Sequence, residues 1–162
     1  MYIRTSFGTL ILVILTGFAI ASIILSSQKD AYADDSAYYV GASGYTRTLI
    51  NIGNTVIVAE IADTEEKRER GLTTHRTLSP DAGMLFIFPE ENTYGIWMKD
   101  MLFPIDIIWV SEKKRVVDIE TNVSPETYPD IFRPSIPARY AIEVPAGFVT
   151  RHNISINNTV RW

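Results

Sequence analysis

The sequence contains no cysteine. That removes disulfides, thiolate metal sites and cysteine nucleophiles in one step. It has two histidines, His75 and His152, so imidazole chemistry has few places to stand. No lysine- or arginine-rich tract occurs, and the formal charge is −4, which argues against a nucleic-acid backbone as partner. There is no Gly-x-Ser-x-Gly elbow, no phosphate-binding glycine loop and no His-Glu-x-x-His pair. Asp100, Asp106 and Glu143 suit a hard cation by type, but no loop carries the ligand spacing such a site needs. The sequence therefore implies no cofactor and no metal.

What the chain does have begins at its N-terminus. Residues 7–25 carry no charge, with Arg4 before them and Lys29 after. Such a run, at ~1.5 Å rise per residue, spans roughly 28 Å, close to the hydrocarbon thickness of a bilayer. Residues 1–28 read as a signal-anchor or a signal peptide. Ala31-Tyr32-Ala33 offers a small-x-small cleavage site after Ala33. The apolar run is longer than a signal peptide needs, which favours an uncleaved anchor with the domain on the extracytoplasmic side. Cleavage would instead give a secreted or periplasmic protein. Residues 29–45 are small, polar and tyrosine-dotted, and read as a tether. Residues 46–162 then form a single β-rich domain.

Within that domain, β-rich segments at 46–52 and 55–61 flank Gly53-Asn54, a pair suited to a tight hairpin turn. Asp63 or Thr64 caps a short helix over 65–70 that has no apolar residue, with Gly71 as its stop. Glu66 and Arg70 are placed for an i,i+4 pair, unless Arg70 turns inward over a site. Further strands are expected at 84–88, 94–98, 105–110, 115–121 and 139–144, with Pro89 starting a turn and 112–114 a polar hairpin tip. Residues 122–137 hold four prolines and no clear period. The fold class is mainly β (α+β): a compact antiparallel sandwich or open barrel with one short helix, after an N-terminal transmembrane segment.

The informative stretch is Gly83 to Phe88, then Tyr94 to Asp100, then Pro104 to Ile107, which sets one Lys and two Asp among apolar residues. Together with Arg70-Gly71-Leu72 and Arg139 to Val144, these motifs resemble the bacterial and archaeal family called domain of unknown function 192, also uncharacterised protein family 0127. The likeness covers about residues 54–160 in the family's order and spacing. It implies a compact β-rich fold with a small helix, often exported or membrane-anchored, and it brings no established activity. Where the family often has Asn-Thr after Trp-Met-Lys, this chain has Asp100-Met101. Where it often has Gly-Asp near the end, this chain has Asn157-Asn158. Many members have a cysteine in the irregular region, so a function that needs that thiol is lost here.

Six residues are candidates for a pocket: Trp97, Lys99, Asp100, Asp106, Arg70 and Glu143. Two accounts are open. In one, Lys99 or Arg70 neutralises a buried Asp106, and the ionisable groups are structural. Lys99 and Asp106 flank a short turn containing Pro104, so they are expected to pair across neighbouring strands. In the other, Trp97 is an apolar floor, Lys99 and an arginine supply positive charge, and Asp106 accepts hydrogen bonds. Glu143 reads as a strand-edge residue, His75 as a surface histidine, and the aromatics of the strands as core. The function expected is non-catalytic binding of a small ligand or an envelope protein. The alternative is a small hydrolase or transferase using Asp106 or Asp100 with Lys99.

Overall fold

The computed structural model describes residues 39–40 and 44–162. The expected membrane segment, the cleavage point after Ala33 and most of the tether lie outside them. Among the described residues no helix is long and apolar enough to cross a membrane.

The chain forms β1 (Tyr39–Val40), β2 (Thr46–Ile52) and β3 (Thr55–Ala62), then α1 (Glu65–Arg70) and β4 (Ala82–Asn92). β5 (Ile105–Val110), β6 (Val116–Val123), a 3-10 turn (Pro125–Thr127), β7 (Ala138–Pro145), α2 (Phe148–Arg151) and β8 (Val160–Arg161) follow. All the strands join one sheet, in the order β1-β2-β3-β4-β7-β5-β6, with β8 also on β2. The fold is mainly β, as the sequence implies, but it is not a two-sheet sandwich. The sheet curls as a half-barrel, and residues 157–161 bridge its far strands at one end. β8 pairs β2, while Thr159 bridges Arg115 and Val116 exchanges backbone hydrogen bonds with Asn157 and Asn158.

The sheet is also not wholly antiparallel, since β3 and β4 run parallel. The connection between them, residues 63–81, contains α1 and is long enough for the crossover that a parallel pair requires. The helix is capped by Thr64, whose hydroxyl accepts from Lys67 N at 3.3 Å, and it buries no side chain. It is held to the sheet by Arg68, which donates to the Ile87 carbonyl at 2.8 Å and lies over the Phe88 ring. Tyr45, at the end of the expected tether, is buried in the same region.

Three other expectations need correction. β4 does not stop at Phe88 but runs through Pro89 to Asn92. Its ladder to β3 ends at Phe86, and its pairing with β7 is irregular after Ile87, so no neighbour needs the missing Pro89 N–H. Residues 94–98 are not a strand; Ile96 alone bridges Phe132. The hairpin tip at 112–114 is not all solvated, because the Lys114 ammonium lies 3.7 Å and 3.0 Å from the ring centroids of Tyr140 and Trp162. Besides α1, the chain has one further helical turn, α2.

Alternation along the strands sorts the core into two clusters. Ile52, Ile57, Leu85, Ile108, Ile142 and Val144 meet on one face, plugged by Phe148 and Val149 of α2. Met84, Phe86, Ile107, Trp109 and Ala141 meet on the other, covered by Leu72, Ile96, Met98 and Met101. Trp109 is thus core, not a stacking platform. β4 and β7 approach closely at Gly83, where an added Cβ would stand 2.7 Å from the Glu143 carbonyl oxygen and 3.1 Å from Ile57 Cδ1. Backbone cannot yield as a side chain does. Gly83→Ala is expected to destabilise the protein by about 1–3 kcal/mol, the cost of forcing atoms into a packed core. Urea denaturation of the full chain reads it; a loss under about 0.5 kcal/mol, the level of a surface change, contradicts that close approach.

Candidate functional site

On the Met84 face, β7 sits between β4 and β5, and Glu143 lies between Met84 and Ile107 as cross-strand neighbours. Neither neighbour can hydrogen-bond a carboxylate. Glu143 is 5% exposed, and its Oε2 has no hydrogen-bond partner. It is therefore not at a strand edge. Burial pushes its carboxyl up to about 8, and no cation offsets that cost. At neutral pH the group is mainly the uncharged acid.

Glu143 lies at the bottom of a cavity of about 430 Å³, within the usual size range of small-molecule sites. Phe86 and Phe88 of β4 form one wall, α1 with Arg70 another, and the segment carrying Tyr94, Trp97 and Lys99 the third. Phe88 stacks on Tyr94 at 4.3 Å between centroids, which fixes both rings. Trp97 is 46% exposed, so it stands at the mouth and not on the floor. Arg70 reaches the lining and is also paired with Glu66 at 2.6 Å. Of the six candidates, Trp97, Lys99, Arg70 and Glu143 line this one cavity.

Asp100 and Asp106 do not line it. Asp100 is the third residue of the turn closed by Met101 N and Met98 O, at φ 58°. Asparagine occupies such left-handed positions readily, so the departure from Asn is one of turn chemistry. Asn157, at φ 71°, stands in the same relation to the family's glycine. Asp106 alternates with Ile107 and so points to the opposite face, with Ile108 and Val110. It is fully buried, and its carboxylate accepts from the N–H groups of Asn122 at 2.8 Å, Gly147 at 3.2 Å and Val149 at 2.9 Å. Gly147 begins α2 without a capping side chain of its own, so Asp106 caps that helix from the neighbouring strand. Asn122, at φ 54°, belongs to a bulge where β6 slips its register against β5. Three backbone donors thus replace the expected ion pair with Lys99.

A second cavity, about 460 Å³, lies beside β3 and is lined by Arg47, Glu60, His75 and Gly83. Glu60 pairs with Arg47 at 2.9 Å, and His75 Nε2 stands 3.2 Å from its other oxygen. His75 is thus half-buried against a carboxylate, not a surface residue. The signal in the sequence was Glu60 itself, a single charge in an otherwise apolar strand. Among the described residues no three acidic or histidine side chains are grouped to hold a metal ion.

These features define a class: a mainly β domain, one curled sheet that carries on one face a small cavity lined by a buried carboxyl. The chain belongs to the family DUF192, described as Uncharacterized ACR, whose model matches residues 48–162. A UPF0127 protein of Thermococcus gammatolerans is 34% identical over 105 residues, which are 64% of this chain and 65% of that protein. The chain thus spans a little under two thirds of that relative's length. Of solved structures, a protein of unknown function from Novosphingobium aromaticivorans is similar at TM-score 0.74 and 25% identity, over 80% of this chain and 96% of that one. A candidate transcription regulator from Sinorhizobium meliloti is similar at TM-score 0.69 and 28% identity, over 72% and 94%.

Two predictions follow from the carboxyls. Because the folded protein holds the Glu143 proton well above the ordinary glutamate range, the stability contributed by this group is full below about pH 4.5 and is lost as pH rises to about 8. Glu143→Gln removes the titration. The stability difference between variant and parent is expected to move in the variant's favour across that window, by at most about 1.4 kcal/mol per pH unit. Parallel profiles contradict the discharged acid. Asp106→Ala strands three donors and is expected to cost about 3 kcal/mol or more. Lys99→Met should change stability by under about 0.5 kcal/mol, with no coupling in the double-mutant cycle. Coupling above about 1 kcal/mol restores the ion pair.

Proposed function

We propose that this protein is a non-catalytic binding module for a small ligand, held outside the cytoplasm by a membrane anchor over residues 7–25 or exported after cleavage behind Ala33. The observation that carries the binding reading is the Glu143 carboxyl, buried, unpartnered at Oε2 and open to a cavity of about 430 Å³. Structural carboxyls are normally hydrogen-bonded, as Asp106 is. One left without a partner on a cavity floor supports a role with a bound molecule. The aromatic walls support an occupant with an apolar body, and Trp97 at the mouth is placed to cover it. The uncharged run 7–25 supports the membrane reading. The hydrolase or transferase alternative loses support, because the carboxylate oxygens of Asp106 are occupied on the opposite face. An envelope protein remains the second class of partner, for which the exposed side chains around Trp97, such as Leu102, would serve.

The test is thermal unfolding of the full chain across a panel of metabolites and glycans. At least one compound should raise the melting temperature by several degrees, as expected when ligand is present at about 100 times its Kd. Trp97→Ala should abolish that shift. A panel that shifts nothing, or a shift that Trp97→Ala leaves intact, contradicts binding in this cavity. Recovery of the native chain in a soluble cytoplasmic fraction contradicts the anchored and exported readings together.

A further inference from the structure

The polar groups of the cavity fall into two poles. At the floor is Glu143, whose flanking residues, Met84 of β4 and Ile107 of β5, do not titrate. The titratable groups of the lining are Glu65, Arg68, Glu69 and Arg70 of α1, and Tyr94 and Lys99 of the segment after β4. Burial alone raises the Glu143 pKa, and none of these cations opposes it. Lys99 is exposed where Glu143 is buried, so this cation stands nearer the mouth than the carboxyl. Two of the lining cations are engaged: Arg68 with the carbonyls of Asp63 and Ile87, Arg70 with Glu66. Lys99 is exposed and forms no ion pair among the described residues. Glu65 and Glu69 are exposed as well, so solvent and salt screen all three charges alike. The rings of Phe86 and Phe88 also line the cavity.

We infer that the ligand is a small zwitterion with separated charges: a primary ammonium held by Glu143 at the floor, an apolar chain along Phe86 and Phe88, and a carboxylate at Lys99. This rests on the reading of the cavity as a ligand site. A desolvated charge is tolerated when it is paired, and a ligand of this pattern pairs the buried Glu143 while it offers its own carboxylate to the exposed Lys99. An ammonium near the floor also gains from the faces of aromatic rings. A monoanion leaves the floor unpartnered, and a simple amine leaves Lys99 as it is. The Glu143 proton leaves to solvent when the ammonium arrives, so binding at neutral pH releases a proton.

The probes are 6-aminohexanoate, hexanoate and hexylamine, titrated into the full chain by calorimetry in buffers of differing ionisation enthalpy, with the Trp97 indole resonance as a site marker. The amino acid should bind at least about tenfold tighter than either single-pole probe. It should release close to one proton at pH 7, and its Kd should fall about tenfold from pH 7 to pH 9. Glu143→Gln should abolish the proton release and the pH dependence. Lys99→Met should reduce 6-aminohexanoate to the affinity of hexylamine. Hexylamine binding as tightly as the amino acid, or hexanoate binding best, overturns the zwitterion. If none of the three moves the Trp97 resonance while a panel compound does, the zwitterion falls and the cavity reading stands. If nothing moves it, both fall.

Discussion

Three strands, β4, β7 and β5, are covered on both faces, and every carboxyl on their buried stretches must be hydrogen-bonded or hold its proton. That constraint organises the molecule. Every residue of β5 is buried, so Asp106 has no route to water. It is stabilised by three backbone donors that the fold brings to it from β6 and α2. Glu143, on the neighbouring strand and the opposite face, meets Met84 and Ile107 and takes the other course, holding its proton. The two carboxyls that look alike in the sequence are thus a structural clamp and an open acid.

The clamp and the acid are also linked through the backbone. Asp106 pairs with Val144 across the β5–β7 ladder, next to Glu143. By fixing α2 and the β6 bulge, it keeps the inner core closed behind β7. Gly83 allows β4 to approach β7 at the same level. The floor of the cavity is therefore made by rigid, doubly buried strands, while its walls are a polar helix and a loop segment. A floor of that kind holds a charge-sensitive group in place at little cost in order, and Lys99 and Trp97 stand exposed at the mouth.

Much of this was legible in the sequence. Period-2 alternation placed Glu143 with Ala141, and Asp106 with Ile108, correctly. The Gly53-Asn54 turn, the polar helix with its Glu66–Arg70 pair, and the gathering of Trp97, Lys99, Arg70 and Glu143 were also within reach. Alternation assigns a face within one strand, however, and does not say which faces of different strands coincide. The Lys99–Asp106 pair was expected for that reason. It fails because 94–98 is not a strand of the sheet, and because a bulge and a helix terminus, both remote in sequence, supply the donors Asp106 needs. Pro89 was read as a turn because proline usually ends a ladder; here the ladder on one side had already ended. The number of short strands suits a sandwich or an open barrel equally; the 63–81 crossover and the 157–161 bridge fold them into one curled sheet, on the side of the open barrel. The Glu60–His75 contact is not legible in the sequence, because a lone charge in an apolar strand shows nothing of the partners that come to it from Arg47 and the loop after α1.

The account rests on one titration. Carbon-13 labelling of the glutamate side chains, with the Glu143 carboxyl resonance followed from pH 3 to pH 10, measures it directly. The burial described predicts a midpoint near pH 8, far above that of an exposed glutamate. A midpoint near pH 4.5 would mean that Glu143 is solvated or paired, and the carboxyl-floored cavity on which the functional reading depends would not exist.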